Sequence, residues 1–471
     1  MASLSGPERP SKRQPLMTPK GDRSSNSRAR QSPEHLVWVD GVPWDENTLP
    51  APLMIKMEGY PIESHQVMTK DGYTLTMHRI PFGSGHRSPM STTSFSSSST
   101  SYSATFSSSS PSSSRTPRSG NVAVGNSSQS NGHGVPLRIP VLVQHGVLCS
   151  SADWVMGTPE RSLGFMLADA GYDVWLGNFR GNTYSRNHMN SSHDEHMHPD
   201  NVPFWDFSFD EMGRYDLPAM IEHVQRVSGQ QKIFYVGHSM GTTAMWIMAN
   251  HMPGFATDSI RSMVALAPVA TLSNMASPLL RLMAPISNQL ERAFRMLGQH
   301  EFWSPRSFQF DMARKMCPKL DKKTRCKVPE NVIFLLCGFD KPQMNMTLLP
   351  KILGHTPSGT SLKTILHYVQ IFKSERFQAF DGGVNYNFHH YGSHGPRQYT
   401  LSKVHFPVAV FYGRNDWITV PKDVEALAKS LPNLVLLKEV PFEKFNHLDF
   451  MWAKDANRLL YKDIIKFLRE S

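Results

Sequence analysis

Apolar positions along this chain follow two periods, and their alternation sets the expected architecture. Runs dominated by β-branched, aliphatic and aromatic residues occur at Arg138–Gln144, Tyr172–Leu176, Lys232–Val236, Met263–Ala267, Val408–Gly413 and Leu434–Val440. Such short, nearly continuous apolar runs are what strands covered on both faces require. Between them, Ser162–Ala170, Asp210–Val227, Thr242–Asn250 and Asp423–Leu431 carry helical periodicity, and a last helix ends near Ser471. Pro218 marks a kink inside the second of these. Strands and helices in this alternation imply right-handed crossovers and a mostly parallel sheet, hence an α/β fold. Upstream, Glu63–Ile80 is two strands around an Asp71-Gly72 turn, a hairpin whose second strand heads for the strand at Arg138–Gln144.

The pattern breaks in three places. Residues 271–397 hold Met-, Leu- and Phe-rich helical segments separated by Pro, Gly and basic loops, and only Val332–Leu336 resembles a sheet run there. An insertion at this point fits a cap over the C-terminal edge of the sheet, where α/β folds keep their sites. Its Met and aromatic residues serve packing, and a cap over lipid would use the same side chains to line substrate. Residues 1–34 are rich in Ser, Arg and Pro without periodicity, and too polar to offset the entropy of ordering, so they are expected to be disordered. Residues 84–136 enclose a serine tract from Ser91 through Ser114, a flexible low-complexity insertion with many hydroxyls open to modification. Lengthening a turn to about fifty residues costs roughly 2 kcal/mol of closure entropy, which a large core absorbs. The core is therefore assigned to 35–83, 137–270 and 398–471.

Composition narrows the picture. Apolar residues are only 39% of the 471, and the shortfall lies in the two polar segments. Seven of the basic residues behind the net charge of +10 fall between Arg9 and Arg30, which describes a solvated tail and not a nucleic-acid surface. No run of eighteen apolar residues exists, so no transmembrane span is expected. Met1–Pro10 has no apolar core of a secretory signal, which taken alone predicts a cytosolic product. The four cysteines make neither a disulfide framework nor a C-x-x-C zinc site; Cys317 and Cys326 are near enough to close a small loop, while Cys149 and Cys337 have no obvious mates. The histidine-rich stretch His188, His193, Asp194, Glu195, His196 and His198 has suitable ligand types but no metal-binding spacing, so no metal is expected.

The candidate chemistry centres on Gly237-His238-Ser239-Met240-Gly241. Preceded by a strand and followed by a helix, this G-x-S-x-G stretch is a nucleophile elbow. The serine takes a strained backbone, and glycines two residues to either side let strand and helix approach. Asp416 lies just beyond the strand at Val408–Gly413, and His447 in the loop after the strand at Leu434–Val440. The order Ser, Asp, His is that of the α/β-hydrolases, and Gln144-His145-Gly146 resembles the loop that supplies one oxyanion-hole N–H in that fold.

Several stretches together resemble the acid lipases, the family of gastric lipase, lysosomal acid lipase and their insect and fungal relatives. The carriers are Gly59-Tyr60-Pro61, Asp71–Leu75, Gln144-His145-Gly146, Leu167–Asn178, Arg180-Gly181-Asn182, Gly237–Thr243, Ala265–Ala270, Phe377–Asp381 and Asn446–Phe450. The resemblance implies an α/β-hydrolase fold with a mainly helical cap, and a lipase acting on triacylglycerols or steryl esters at a droplet, micelle or membrane interface. It puts the nucleophile on Ser239, the acid on Asp416 and the base on His447, with oxyanion donors on the N–H groups of Val147 and Met240. The family usually has Gln where Met240 stands, a change that a backbone donor tolerates. It further implies a Cys317–Cys326 disulfide, a free thiol at Cys337, glycosylation at Asn345 in Asn345-Met346-Thr347, a monomer without cofactor, and a secreted or lysosomal location. The competing readings are a carboxylesterase for smaller soluble esters and a lipid-binding homologue without turnover.

Overall fold

The computed structural model describes residues 36–39, 42–85, 138–189, 202–303 and 333–471. The amino-terminal tail, the serine tract, the histidines from His193 to His198 and the Cys317–Cys326 pair lie outside these residues.

Among the described residues nine strands form one continuous sheet, eight of them in a single row. In chain order these eight are β3 (Glu63–Met68), β4 (Tyr73–Ile80), β5 (Pro140–Gln144), β6 (Asp173–Leu176), β8 (Ile233–His238), β9 (Ile260–Leu266), β12 (Val408–Tyr412) and β13 (Leu434–Glu439). A hairpin β1 (Leu36–Val39) and β2 (Val42–Asp45) precedes them, β7 (Asn187–His188) flanks β4, and β10 (Glu301–Phe302) pairs with β11 (Thr360–Ser361) apart from the sheet. Across the sheet the order is β13-β12-β9-β8-β5-β6-β4-β3. Neighbours from β13 to β6 are parallel, and β6-β4-β3 are antiparallel. The hairpin β3–β4 turns at Asp71-Gly72 as expected, but β4 borders β6, so β6 separates it from β5.

The apolar runs are explained by cover on both faces. Leu142, Tyr235, Met263, Ala265, Val408 and Val410 pack into one core with the helix Met240–His251. Their alternates Val141, Val143, Phe234, Val236, Val264, Leu266, Ala409 and Phe411 pack into a second core with the helices Leu163–Asp169 and Lys462–Glu470. A period of two therefore divides each strand between two cores, so most positions on both faces are apolar.

Two local expectations are corrected. The helix expected over Asp210–Val227 runs without a break from Phe209 to Ser228 but holds a π turn at Met212–Asp216 in place of a regular α course. Pro218 has no N–H to complete an α turn, and the wider turn just before it takes up the change. In the apolar run read as sheet-like, the described residues Ile333–Cys337 are helical and not a strand. Phe334 and Cys337 are buried at helical spacing while Leu335 is 42% exposed, a one-sided burial that a sheet run would not show.

Between β9 and β12 lie the helices Pro278–Met283, Ser287–Met296, Leu349–His355, Leu362–Ser374 and Val384–Tyr391. They are joined to the sheet near its C-terminal edge. The Trp417 carbonyl accepts from the N–H groups of Ala276 and Ser277, Trp417 N–H donates to the Cys337 carbonyl, and the Tyr368 hydroxyl donates to Thr243.

Strand β8 and its helix meet closely at the elbow. A Cβ on Gly241 would lie 2.7 Å from the Gln144 carbonyl oxygen, and one on Gly237 3.0 Å from the Gly241 carbonyl carbon. Gly241→Ala is expected to lower stability by about 1–3 kcal/mol, because backbone and not a flexible side chain would have to move. A urea unfolding midpoint unchanged from wild type would contradict this.

Candidate active site

Ser239 joins β8 to the helix Met240–His251 with φ 51° and ψ −113°, outside the regions that L-residues favour. Its N–H donates to the Leu266 carbonyl at 3.0 Å and its carbonyl accepts from Thr242 and Thr243, so neighbouring structure holds the strained backbone. The hydroxyl meets His447 Nε2 at 2.9 Å, and His447 Nδ1 lies 2.8 Å from Asp416 Oδ2. These three residues come from the C-terminal ends of β8 and β12 and the loop after β13. A parallel sheet delivers all three ends to one edge. All are at least 95% buried.

The hydrogen bonds assign the protons. Asp416 Oδ1 accepts from the N–H groups of Ile418 and Thr419, and Oδ2 accepts from the Thr419 hydroxyl at 2.6 Å. With donors on both oxygens, Asp416 is held as an acceptor, so His447 donates from Nδ1 and presents the Nε2 lone pair to the Ser239 hydroxyl. Thr419 is a residue that the sequence reading missed. Its signal is local, a Thr three residues after the acid, placed so that hydroxyl and N–H both fold back onto the carboxylate.

The loop carrying His447 is pinned from two sides. His238 Nε2 donates to the His447 carbonyl at 2.9 Å, and burial, then the proximity of His447, keeps the His238 imidazole well below its ordinary pKa. A neutral ring therefore sits beside the candidate base. On the other side Asn446 donates from Nδ2 to the Gly338 carbonyl, and its own N–H donates to Asp449 Oδ2 at 2.7 Å. Asp449 lies close to Asp340, which is buried with no hydrogen-bond partner on its Oδ2. Burial and then the mutual repulsion of the pair raise Asp449 well above the ordinary carboxyl range, and burial also raises Asp340.

Gly146 lies directly against the elbow: a Cβ there would sit 3.2 Å from Ser239 Cβ and 2.9 Å from His238 Nδ1. Val147 follows, half-buried, and Leu148 has φ 61°. Met240 is the first residue of its helix, where an N–H has no partner within the helix itself. Of the expected oxyanion donors, Met240 thus follows Ser239 in the chain, and Val147 follows the glycine packed against it. Asn345 lies outside this cluster, half-buried at the turn before Leu349–His355, with Oδ1 accepting from the Thr347 hydroxyl. Cys149 and Cys337 are free, buried thiols. Of the histidine-rich stretch, His188 is described, and its Nε2 contacts the Asp71 carbonyl. Among the described residues no group of three His, Cys, Asp or Glu is arranged to hold a metal ion.

The buried acid pair gives the stability a defined pH slope. A carboxyl whose folded pKa is raised stabilises the fold below its unfolded pKa, near 3.9, and loses that contribution as pH rises through the folded value. Lys444 and Lys454 face Asp340, while Asp416, Cys337 and Tyr461 face Asp449, so ionisation of the second carboxyl is poorly compensated. Asp340→Asn is expected to raise the melting temperature at pH 8 by more than at pH 5. Equal shifts at the two pH values would contradict the raised carboxyls of this pair. Thr419→Val is expected to lower kcat on a soluble ester by about tenfold by loosening Asp416, with KM little changed.

The sequence matches those of known proteins. A model described as the alpha/beta hydrolase fold matches residues 139–454, and a partial alpha/beta-hydrolase lipase region matches 51–158. The chain is 41% identical to gastric triacylglycerol lipase of Rattus norvegicus, over 73% of this chain and 83% of that one. It is 40% identical to lipase 3 of Drosophila melanogaster, over 69% and 80%. With the lysosomal acid lipase/cholesteryl ester hydrolase of Homo sapiens it shares 39% identity over 70% and 79%. The chain belongs to the α/β-hydrolase family, among the acid lipases.

Proposed function

We propose that this protein is a lipase that hydrolyses carboxylic esters of long-chain fatty acids through an acyl-enzyme on Ser239. The observation that carries the reading is the continuous path from Asp416 Oδ2 through His447 to the Ser239 hydroxyl, with contacts of 2.8 and 2.9 Å. His447 Nε2 takes the hydroxyl proton as Ser239 Oγ attacks the ester carbonyl, and the imidazolium is stabilised by Asp416. The tetrahedral oxyanion is held by the N–H groups of Val147 and Met240; one such donor is typically worth about 3 kcal/mol. Collapse expels the alcohol, which takes its proton from His447, and water repeats the sequence on the acyl-enzyme. The chemistry uses side chains and backbone N–H groups of this chain alone.

The substrate class rests on the relatives, whose names specify triacylglycerol and cholesteryl ester, and on the apolar surface of the segment 271–397, which we assign as the cap. Leu282 is 73% exposed and Met296 82% on helices of that segment, chemistry suited to contact with a lipid surface. No helix among the described residues is long and apolar enough to cross a membrane, which fits attachment at an interface. Asn345-Met346-Thr347 has the Asn-x-Thr form that an N-glycosylation acceptor requires.

Wild-type protein is expected to hydrolyse emulsified long-chain triacylglycerol or steryl oleate at least as fast as tributyrin, and Ser239→Ala to lose about 10⁴-fold or more of kcat on all of them. Preference for short soluble esters by an order of magnitude or more would favour a carboxylesterase. Activity surviving in Ser239→Ala would refute the mechanism.

A further inference from the structure

The candidate oxyanion donor on Val147 is part of a peptide whose orientation must be set before substrate arrives, because a donor that swings costs reorganisation in the transition state. Val147 sits in a loop, and Gly146 before it has no side chain with which to anchor the peptide. The anchor must therefore come from elsewhere.

His145 occupies that place. Its ring is 1% exposed, so its polar contacts exclude bulk water. Nε2 lies 3.1 Å from the Phe179 N–H, a group that can only donate, and 3.1 Å from the Asn182 side-chain amide nitrogen. Nε2 is therefore the lone-pair nitrogen and Nδ1 carries the hydrogen. Nδ1 lies 2.7 Å from the Gly146 carbonyl oxygen, which also accepts from Cys149 N–H at 3.3 Å. The Gly146–Val147 bond is trans, and in a planar trans peptide the C=O and the following N–H point in opposite directions. Two donors on the Gly146 oxygen thus aim the Val147 N–H away from His145, while the Gly146 Cα packs against Ser239.

We propose that His145 is a positioning residue for ester hydrolysis: as the Nδ1–H tautomer fixed by Phe179 and Asn182, it grips the Gly146 carbonyl and thereby presents the Val147 N–H to the oxyanion. The assignment rests on the hydrolase reading above and deepens it. Burial lowers the His145 imidazole to about 4, so the ring stays uncharged across the neutral and mildly acidic range and keeps its acceptor nitrogen. Asn182 extends the grip. Besides meeting Nε2, its amide donates to the Asn178 side-chain oxygen, which in turn accepts from the Ser151 N–H, so the imidazole is braced by groups that are themselves held.

The test compares His145→Phe, which keeps a ring and removes both nitrogens, with His145→Asn, whose amide reaches the Nδ1 position. kcat and KM are measured on a soluble p-nitrophenyl ester, together with the affinity for an aryl trifluoromethyl ketone, whose adduct with Ser239 bears the same oxyanion. Thermal midpoints report folding. His145→Phe is expected to lower kcat by about 10²–10³ with KM within about threefold, and to weaken the ketone by a similar factor. His145→Asn is expected to recover at least about tenfold of both. Unchanged kcat in His145→Phe, or a loss of kcat with ketone affinity retained, overturns the proposal. The tautomer is read separately by ¹⁵N imidazole NMR of the wild-type protein at pH 6, with His145 assigned through its contact with the Phe179 amide proton. Protonation at Nδ1 is expected, and protonation at Nε2 overturns the proposal even if both variants unfold. Absence of ester hydrolysis by the wild type would sink the hydrolase reading instead, and the NMR result would still decide which nitrogen His145 uses.

Discussion

The hydrogen bond between the Ser239 hydroxyl and His447 Nε2 joins residues 208 positions apart, and the architecture is what makes so long a connection rigid. Neither residue is held by local structure alone. Ser239 is fixed by a strained junction between β8 and its helix, and His447 by a loop after β13 at the sheet's far edge. The parallel strands between them transmit position because both faces are packed, so that no strand can tilt without opening a core. The strain at Ser239 persists because bonds to Leu266, Thr242 and Thr243 over-determine it.

Around that bond the polar groups divide into those kept neutral and those kept charged. His238 and His145, both fully buried, are held neutral by desolvation, each with one ring nitrogen donating to a carbonyl that shapes the site. Farther off, Arg180 is equally buried but remains charged because Asp71 and Asp216 flank it, and its guanidinium stacks 3.9 Å from the centre of the Tyr73 ring. That ion cluster ties the hairpin β3–β4 to the loop after β6. Breaking one member would leave a buried charge without compensation, which is the costly case for such clusters.

Much of this was legible in the sequence because its causes are local or periodic. Strands β5, β8, β9 and β12 announced themselves as apolar runs, since cover on both sides leaves polar residues nowhere to point. The elbow was legible because two glycines bracket a serine between a strand and a helix, and the order Ser239, Asp416, His447 because each follows a strand end. What stayed hidden depends on contacts made across the chain. Asp340 and Asp449 meet from the capping segment and the His447 loop with no pattern joining them. The run at Ile333–Leu336 has the composition of a strand but, with no strand paired to it among the described residues, completes its hydrogen bonds as a helix. The π turn before Pro218 escaped for a similar reason: the proline was visible, but how the chain accommodates it depends on packing against the helix Met240–His251, where a Cβ on Gly213 would meet the Ala244 carbonyl at 2.6 Å.

The central claim is that Ser239 is an activated nucleophile, and covalent labelling addresses it most directly. Native protein treated with a fluorophosphonate and mapped by peptide mass spectrometry should carry a single stoichiometric adduct on Ser239, and His447→Ala should slow its formation by orders of magnitude. An unlabelled Ser239 in correctly folded protein, or an adduct on another serine formed equally fast without His447, would contradict the account.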